Sequence, residues 1–267
     1  MLTAAAGVAA GCLGALLGIG GGVILVPLLN VGMGLSFRDA AAVSLTGVLA
    51  TGTSVAASSA GRARMNTRLA VTLLVFSVTG AAVGADVLTL MAERTYEIIF
   101  GVTTALITLV MLLRLDKRNI LPAEHGDLGA LGGTFYDEDT GEDVAYRVKR
   151  VPVAATVSFG AGILATFVGI GGGILVVPAL NSWCGVPLRV AAASSALMIG
   201  VTAVPGALTH QSAGYLHDYR LAGAAALGVL AGFRIGLRIG PSAPVRLLKV
   251  LMAVVLALVA VQYLFLR

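Results

Sequence analysis

Charge is scarce in this sequence. Aspartate, glutamate, lysine and arginine make up only 12% of its 267 residues, against about 25% in an ordinary soluble domain. Cysteine occurs twice, at Cys12 and Cys184, too few for a disulfide framework or a thiolate metal cluster. Cys12 follows Ala9-Ala10-Gly11, which faintly resembles a lipoprotein cleavage site. No basic stretch precedes it, and the matching stretch of the second half lies inside the chain, so Met1–Leu17 reads as retained structure. Enzyme motifs are missing too. There is no Gly-x-x-x-x-Gly-Lys-Ser/Thr, no His-Glu-x-x-His and no Gly-x-Ser-x-Gly. A dinucleotide fingerprint needs a sixth-position glycine, where this chain has Val23 and Ile174. Asp86 is the one acid well inside an apolar run, a proton or cation coupler at most. No catalytic residue, metal site or cofactor is predicted, and no basic stretch forms a nucleic-acid patch.

Hydrophobic residues are what the chain has in excess, at 58%. The runs Leu69–Leu90, Tyr96–Leu113, Leu188–Leu208 and Val245–Leu266 are each long enough to cross about 30 Å of hydrocarbon. Ala40–Ala60 and Arg220–Gly240 are further helices rich in small residues, which allow close helix packing. This composition predicts an all-α polytopic membrane protein.

Glycine is also abundant, and part of it repeats. Gly18-Ile-Gly-Gly-Gly-Val-Ile-Leu-Val-Pro-Leu-Leu-Asn30 returns as Gly169-Ile-Gly-Gly-Gly-Ile-Leu-Val-Val-Pro-Ala-Leu-Asn181, with nine of thirteen positions identical. Gly80-xxx-Gly84 is matched by Gly232-xxx-Gly236-xxx-Gly240. Residues 1–113 and 151–267 therefore form two membrane repeats. Between them, 114–150 holds eight of the thirteen acidic residues with basic ends, an acidic linker. Its Thr134–Tyr136 and Val144–Tyr146 stretches flank Asp-Thr-Gly and suit a small hairpin. A solvated connection is the expected role, and a partner-binding loop the alternative.

Lysine and arginine placement bears on threading. If each glycine segment crosses once, the two sides hold eleven and seven bases. If each is a re-entrant hairpin followed by three crossings, the halves are inverted and the split becomes fourteen to four. The positive-inside bias favours the inverted arrangement, with the linker cytoplasmic and both termini outside.

Four glycines in five residues will not propagate an ordinary helix. Broken backbone survives in a membrane only where protein buries it or it lines a cavity. Paired interruptions in two halves point to a transporter's binding site. At a hairpin tip the restarting helix offers unsatisfied N–H groups and partial positive charge, so two facing tips make an anion site. The alternative is close-packing glycine alone. The candidate substrate-binding residues are Gly18, Gly20, Gly21, Gly22, Gly169, Gly171, Gly172 and Gly173. Asn30 and Asn181 either reach the tips or merely cap. Ser44, Thr46, Ser194 and Ser195 add hydroxyls, unless these bond their own helices. The matched Arg38 and Arg189 either attract anions to the pathway mouths or anchor at the interface. His210 and Gln211 lie at the end of a span, the ordinary place for an interfacial or core residue. Pro27 and Pro178 are expected to bend or end the second half-helix.

The doubled Gly-x-Gly-Gly-Gly with its proline and asparagine, the Ala/Ser-rich helix after each copy and the membrane layout resemble the TauE/SafE sulfite exporter family. The resemblance covers nearly all of the chain except the acidic linker. It implies a carrier in a bacterial-type inner membrane for sulfur-containing anions, sulfite or organosulfonates such as sulfoacetate. The expected mechanism is export by alternating access, with the anion held at the facing tips near mid-membrane. A homodimer would supply the fixed scaffold that an elevator-like movement needs. A passive anion channel, or a membrane scaffold acting through the acidic linker, are the alternatives.

Overall fold

The computed structural model describes residues 2–17, 20–57, 65–88, 92–113, 128–137, 141–239 and 244–265. Among these, the chain forms ten helices and one two-stranded sheet. The first half contributes α1 (Leu2–Leu17), α2 (Gly22–Asn30), α3 (Phe37–Ala57), α4 (Thr67–Leu88) and α5 (Glu93–Leu113). The sheet pairs β1 (Gly133–Asp137) with β2 (Glu142–Tyr146). The second half gives α6 (Val151–Val168), α7 (Gly173–Ser182), α8 (Leu188–Ser212), α9 (Tyr219–Ile239) and α10 (Val245–Phe265). The helices are matched one for one between the halves.

Each half begins by doubling back. After α1 the chain turns at Gly20-Gly21, both at positive φ, and α2 starts beside the middle of α1. A β-carbon on Gly21 would lie 2.8 Å from the Ala10 carbonyl oxygen, and one on Gly14 would strike the Gly21 backbone. The far end of α2 returns to the start of α1, where the Thr3 hydroxyl donates to Met33 Sδ at 3.8 Å. The second half does the same. Gly172 packs on Ala161, and beyond α7 the Cys184 carbonyl accepts the Lys149 N–H at 3.1 Å, just before α6. Burial raises the Cys184 thiol to about 11 against the opposing pull of nearby Arg150, so it stays protonated at neutral pH.

The halves interlock. Gly7 and Gly11 of α1 face Gly228, Val229 and Phe233 of α9, while Gly228, Gly232 and Gly236 face Ala4, Val8 and Cys12. The mirror seam joins α4 to α6, with Gly80 on Phe159, Gly84 on Ile163 and Gly162 on Ser77 and Ala81. Residue numbers rise together along both seams, so these pairs are parallel. The matched helices α3 and α8 run antiparallel. Arg38 at the start of α3 bonds Tyr215 beyond the end of α8, and Asn66 beyond α3 bonds Ser194 near the start of α8. They cross at Gly52 and Gly200, where a β-carbon on either would sit 2.7 Å from the other's Cα. Phe100 early in α5 meets Tyr263 late in α10 at 5.2 Å between ring centroids. The two halves thus point in opposite directions.

Among the described residues, four helical stretches are long and apolar enough to cross a membrane, namely Thr67–Val87, Val151–Val168, Leu188–Ser212 and Tyr219–Ile239. The runs expected at Tyr96–Leu113 and Val245–Leu266 fall in α5 and α10, each a helix of 21 residues. Glu97 is buried and pairs with Arg94 at 3.1 Å, whereas Asp86 is exposed.

The linker hairpin is docked rather than freely solvated. Phe135, Tyr146 and Val148 are buried in the main core. Asn66 donates its amide to the Leu131 carbonyl and the Tyr146 hydroxyl, both at 2.8 Å. Residues 114–127 and 138–140, with much of the acidic run, lie outside the described residues.

Two outcomes follow from this packing. Gly232→Leu drives a side chain into the Val8 carbonyl and is expected to lower the thermal midpoint in detergent by several degrees, as overpacking by about 1–3 kcal/mol does. Gly223→Ala, where a β-carbon meets nothing within 4 Å, should leave the midpoint unchanged or raised. Tyr146→Phe removes one acceptor of the Asn66 amide, at about 1 kcal/mol. Limited proteolysis of 128–150 should quicken about fivefold. Burial also raises the Tyr146 phenol above its usual value, against the Asn66 bond that lowers it. Docking is therefore full below the ordinary tyrosine range and is lost as pH rises through the raised value.

Candidate functional site

The two glycine turns meet. A β-carbon on Gly22 would lie 2.8 Å from both the Gly169 carbonyl oxygen and the Ile170 Cα. Gly20, Gly21, Gly169, Gly171 and Gly172 all have φ between +73° and +77°, a conformation that side chains rarely adopt. That requirement is why the sequence repeats glycine here. Each short helix restarts from a left-handed glycine, Gly21 or Gly172, with no side-chain cap. The Gly21 carbonyl accepts the N–H groups of Ile24 and Leu25, so the first amides of α2, those of Gly22 and Val23, have no partner within the helix. The α7 start repeats this pattern with Leu175 and Val176 on the Gly172 carbonyl.

Around the tips stand α3 and α8. Ser44 donates its hydroxyl to the Gly169 carbonyl at 2.8 Å, tying the first half's α3 to the second half's turn. Ser195, its counterpart, is fully buried and its hydroxyl has no hydrogen-bond partner among the described residues. Gly18, the counterpart of Gly169, lies outside the described residues. Two apolar side chains close over the turns, and the sequence reading had not singled them out. Ile199 lies against Gly20 and Gly171, and Val48 against Gly22 and Gly171. They join Leu45 and Ala203 in a separate small cluster. Val48 and Ile199 are related by the repeat offset of 151 that also relates Ser44 to Ser195, and that offset is the signal that would have found them.

Other expected residues stand elsewhere. Asn30 and Asn181 are not at the tips but at the far ends of α2 and α7. Asn30 donates to the Leu35 carbonyl at 2.8 Å and accepts from the Tyr263 hydroxyl at 3.2 Å. Asn181 donates to the Val186 carbonyl at 3.0 Å. Both fasten the turn that follows. Pro27 and Pro178 lie inside α2 and α7 instead of ending them. The Pro27 carbonyl accepts the Val31 N–H at 2.8 Å, so the helix closes one turn beyond the proline. Thr46 bonds its own helix at the Val43 carbonyl, 2.6 Å. Ser194 accepts the Asn66 N–H at 2.9 Å.

Arg38 and Arg189 mark opposite ends of the bundle, at the starts of antiparallel α3 and α8. Arg38 donates to the Tyr215 hydroxyl at 2.8 Å and lies 5.0 Å from the ring centroid. Asp39 beside it faces His217 at 3.1 Å. Arg189 is buried. Next to it, Val190 lines a cavity of about 330 Å³ with Met65, Asn66, Arg68, Gly133 and Tyr146, between the linker hairpin and the start of α4. Among the described residues, no group of histidine, cysteine, aspartate and glutamate could hold a metal ion.

No solved structure matches the chain significantly. A curated relative, "Probable membrane transporter protein YunE" of Bacillus subtilis (strain 168), is 29% identical over 269 residues, covering 97% of this chain and 95% of its own length. The family description "Sulfite exporter TauE/SafE" matches residues 3–263. That span takes in both glycine turns, Arg38 and Arg189 at the two ends, and the interlocking seams, and the chain belongs to the TauE/SafE sulfite exporter family of membrane transporters.

Proposed function

We propose that the protein carries small sulfur-containing anions, sulfite or an organosulfonate such as sulfoacetate, out of the cell by alternating access at the paired glycine turns. The observation that carries this reading is the meeting of the two turns, Gly22 against Gly169 and Ile170, between two arginine-marked ends. Helix starts there bring unpaired amides and partial positive charge without a fixed cation. Such a site holds an oxyanion yet lets it leave. Glycine leaves the backbone bare, so the anion's oxygens reach the amides directly.

In this conformation the turns are in contact and Val48 and Ile199 cover them. An anion enters when the pair separates toward one end and leaves when it separates toward the other. Ser44 and Ser195 supply hydroxyls on either side. Opposite orientation of the halves relates the outward-open and inward-open forms by a pseudo-two-fold axis in the membrane plane, the arrangement that alternating access by inverted repeats uses. The protein sits in the inner membrane with each glycine hairpin entering and leaving on one side. The linker lies in the cytoplasm, on the side that gathers most of the lysine and arginine.

Counterflow of labelled sulfite and sulfoacetate in proteoliposomes tests this. Wild type should show saturable uptake stimulated by unlabelled anion inside. Ser44→Ala, which frees the Gly169 carbonyl, should raise the half-saturation concentration about fivefold, the equivalent of about 1 kcal/mol. Gly171→Val, which forces a side chain onto Ile199, should lower counterflow at least tenfold. Uptake without trans-stimulation would mean a channel. Undiminished counterflow in well-folded Gly171→Val would move the site away from the turns.

A further inference from the structure

The Arg38 end of the bundle carries a buried histidine that the transport pathway above does not use. His210 lies in the last turn of α8 and is 1% exposed. Its Nδ1 is 2.9 Å from the Gly206 carbonyl. A carbonyl only accepts, so Nδ1 carries the proton and donates it. That fixes the neutral tautomer and leaves Nε2 with a lone pair. Nε2 is buried and has no hydrogen-bond partner among the described residues. A buried acceptor left unsatisfied costs about 1–3 kcal/mol, so its retention calls for a reason.

The surroundings supply one. Tyr215 stacks edge-on against the His210 ring at 5.8 Å between centroids, and its N–H bonds the His210 carbonyl at 3.0 Å. The same Tyr215 hydroxyl is held by Arg38. Arg38 is close enough to act on His210 electrostatically. The other charged groups described at this end are paired or exposed, and buried Glu97 at the start of α5 is held by Arg94 at 3.1 Å. Asp39 and His217 face each other, the Asp218 carboxylate caps α9 through the Arg220 N–H, and Asp86 of α4 is exposed. From α6, Thr166 abuts Gly206 with its hydroxyl on the Ala81 carbonyl. Arg38 and Tyr215 therefore govern both access to the imidazole and its charge.

Resting on the sulfur-anion carrier reading, we propose that His210 Nε2 is a proton-binding site linked to anion occupancy of Arg38, so that anion and proton bind cooperatively at this end of the protein. An anion on Arg38 takes the place of the Tyr215 hydroxyl. Tyr215 is released from over the imidazole, and Nε2 takes one proton from water on that side. The imidazolium gains Nε2–H as a donor and adds one positive charge beside Arg38, which strengthens the hold on the anion. By reciprocity the anion strengthens the hold on the proton equally. The device is one-sided. The repeat offset of 151 carries His210 onto Ser59, which does not titrate, so a nearly symmetric scaffold gains a proton-linked face at the Arg38 end alone.

The first experiment follows the histidine itself. The chain has three histidines, and ¹⁵N-histidine labelling of wild type and His210→Gln in lipid nanodiscs assigns the His210 signal by its loss. Titration with and without sulfite should show one ring protonation at His210 whose midpoint rises on sulfite addition, by at least the 0.7 pH unit equal to a fivefold coupling. In proteoliposomes, lowering pH on the Arg38 face from 7.5 to 5.5 should tighten half-saturation for methanesulfonate, whose charge is constant over that range, about fivefold. His210→Gln should transport with no such dependence. A His210 midpoint that sulfite leaves unmoved, while sulfite counterflow is intact, overturns this inference and leaves the carrier reading standing. A midpoint that sulfite moves in a protein without counterflow keeps the proton-linked site and overturns the carrier reading instead. A pH dependence equal in wild type and His210→Gln assigns coupling to another group and also overturns the inference.

Discussion

Everything in this molecule depends on how closely backbone can approach backbone. Lipid gives helices no hydrophobic reason to associate, so packing, weak Cα–H···O contacts and interhelical hydrogen bonds must hold the bundle. The chain meets that demand with glycine seams. On one, Gly7 and Gly11 meet Gly228, Gly232 and Gly236, and on the other Gly80 and Gly84 meet α6. Each seam joins opposite halves, so neither hairpin is held by its own half alone. The first hairpin is clasped by α9 and the second by α4. The glycine turns are then brought together because the seams fix the two hairpins from outside.

The interlock also explains how one motif serves packing and chemistry at once. A glycine in a seam and a glycine in a turn answer the same requirement, an absent β-carbon, for different ends. In the seams the space is taken by a carbonyl oxygen of the facing helix, as at Gly232 and Val8. At the turns φ is positive and the space belongs in part to the opposite turn and in part to the movable Val48 and Ile199 side chains. Backbone packed on backbone is rigid, whereas a side chain changes rotamer. The proposed anion site is therefore covered by side chains and not by backbone of a facing helix.

Much of this was legible in the sequence because it rests on covalent facts. A thirteen-residue repeat, its following proline and asparagine, and the matched glycine ladders announce two equivalent halves. The lysine and arginine counts pointed to opposite orientations, the sense in which α3 and α8 run past each other. What stayed hidden depends on partners far apart in the chain. Periodicity says that Gly232 packs closely, but not that Val8 is what it packs on. Asn30 stood near the motif in sequence, yet one helix of nine residues carries it to the far end of α2, where the Leu35 carbonyl needs a donor. Thr46 adjoins a promising serine but points its hydroxyl to its own helix, the usual choice for threonine among apolar neighbours. The acidic linker reads as solvated by composition. Only the folded chain shows Phe135 and Tyr146 turned inward and Asn66 receiving them.

Among the described residues, the symmetry on which the proposed alternating access relies is broken at the ends, and the breaks differ in kind. At the Arg189 end, the Tyr146 and Leu131 oxygens hold Asn66, and Asn66 holds Ser194 beside Ser195. A separation of the turns toward that end must therefore loosen a docked β-hairpin, or carry it along. At the Arg38 end no such strap is found among the described residues, and the closure is one tyrosine held by one guanidinium over an imidazole. In the proposed cycle, two forms related by the pseudo-two-fold thus differ in what each must break to open. A scaffold with equal halves has no preferred direction by itself. In the cycle proposed above, unequal locks at its ends would set how long each face stays closed, a docked hairpin on one side and the Arg38–Tyr215 contact on the other.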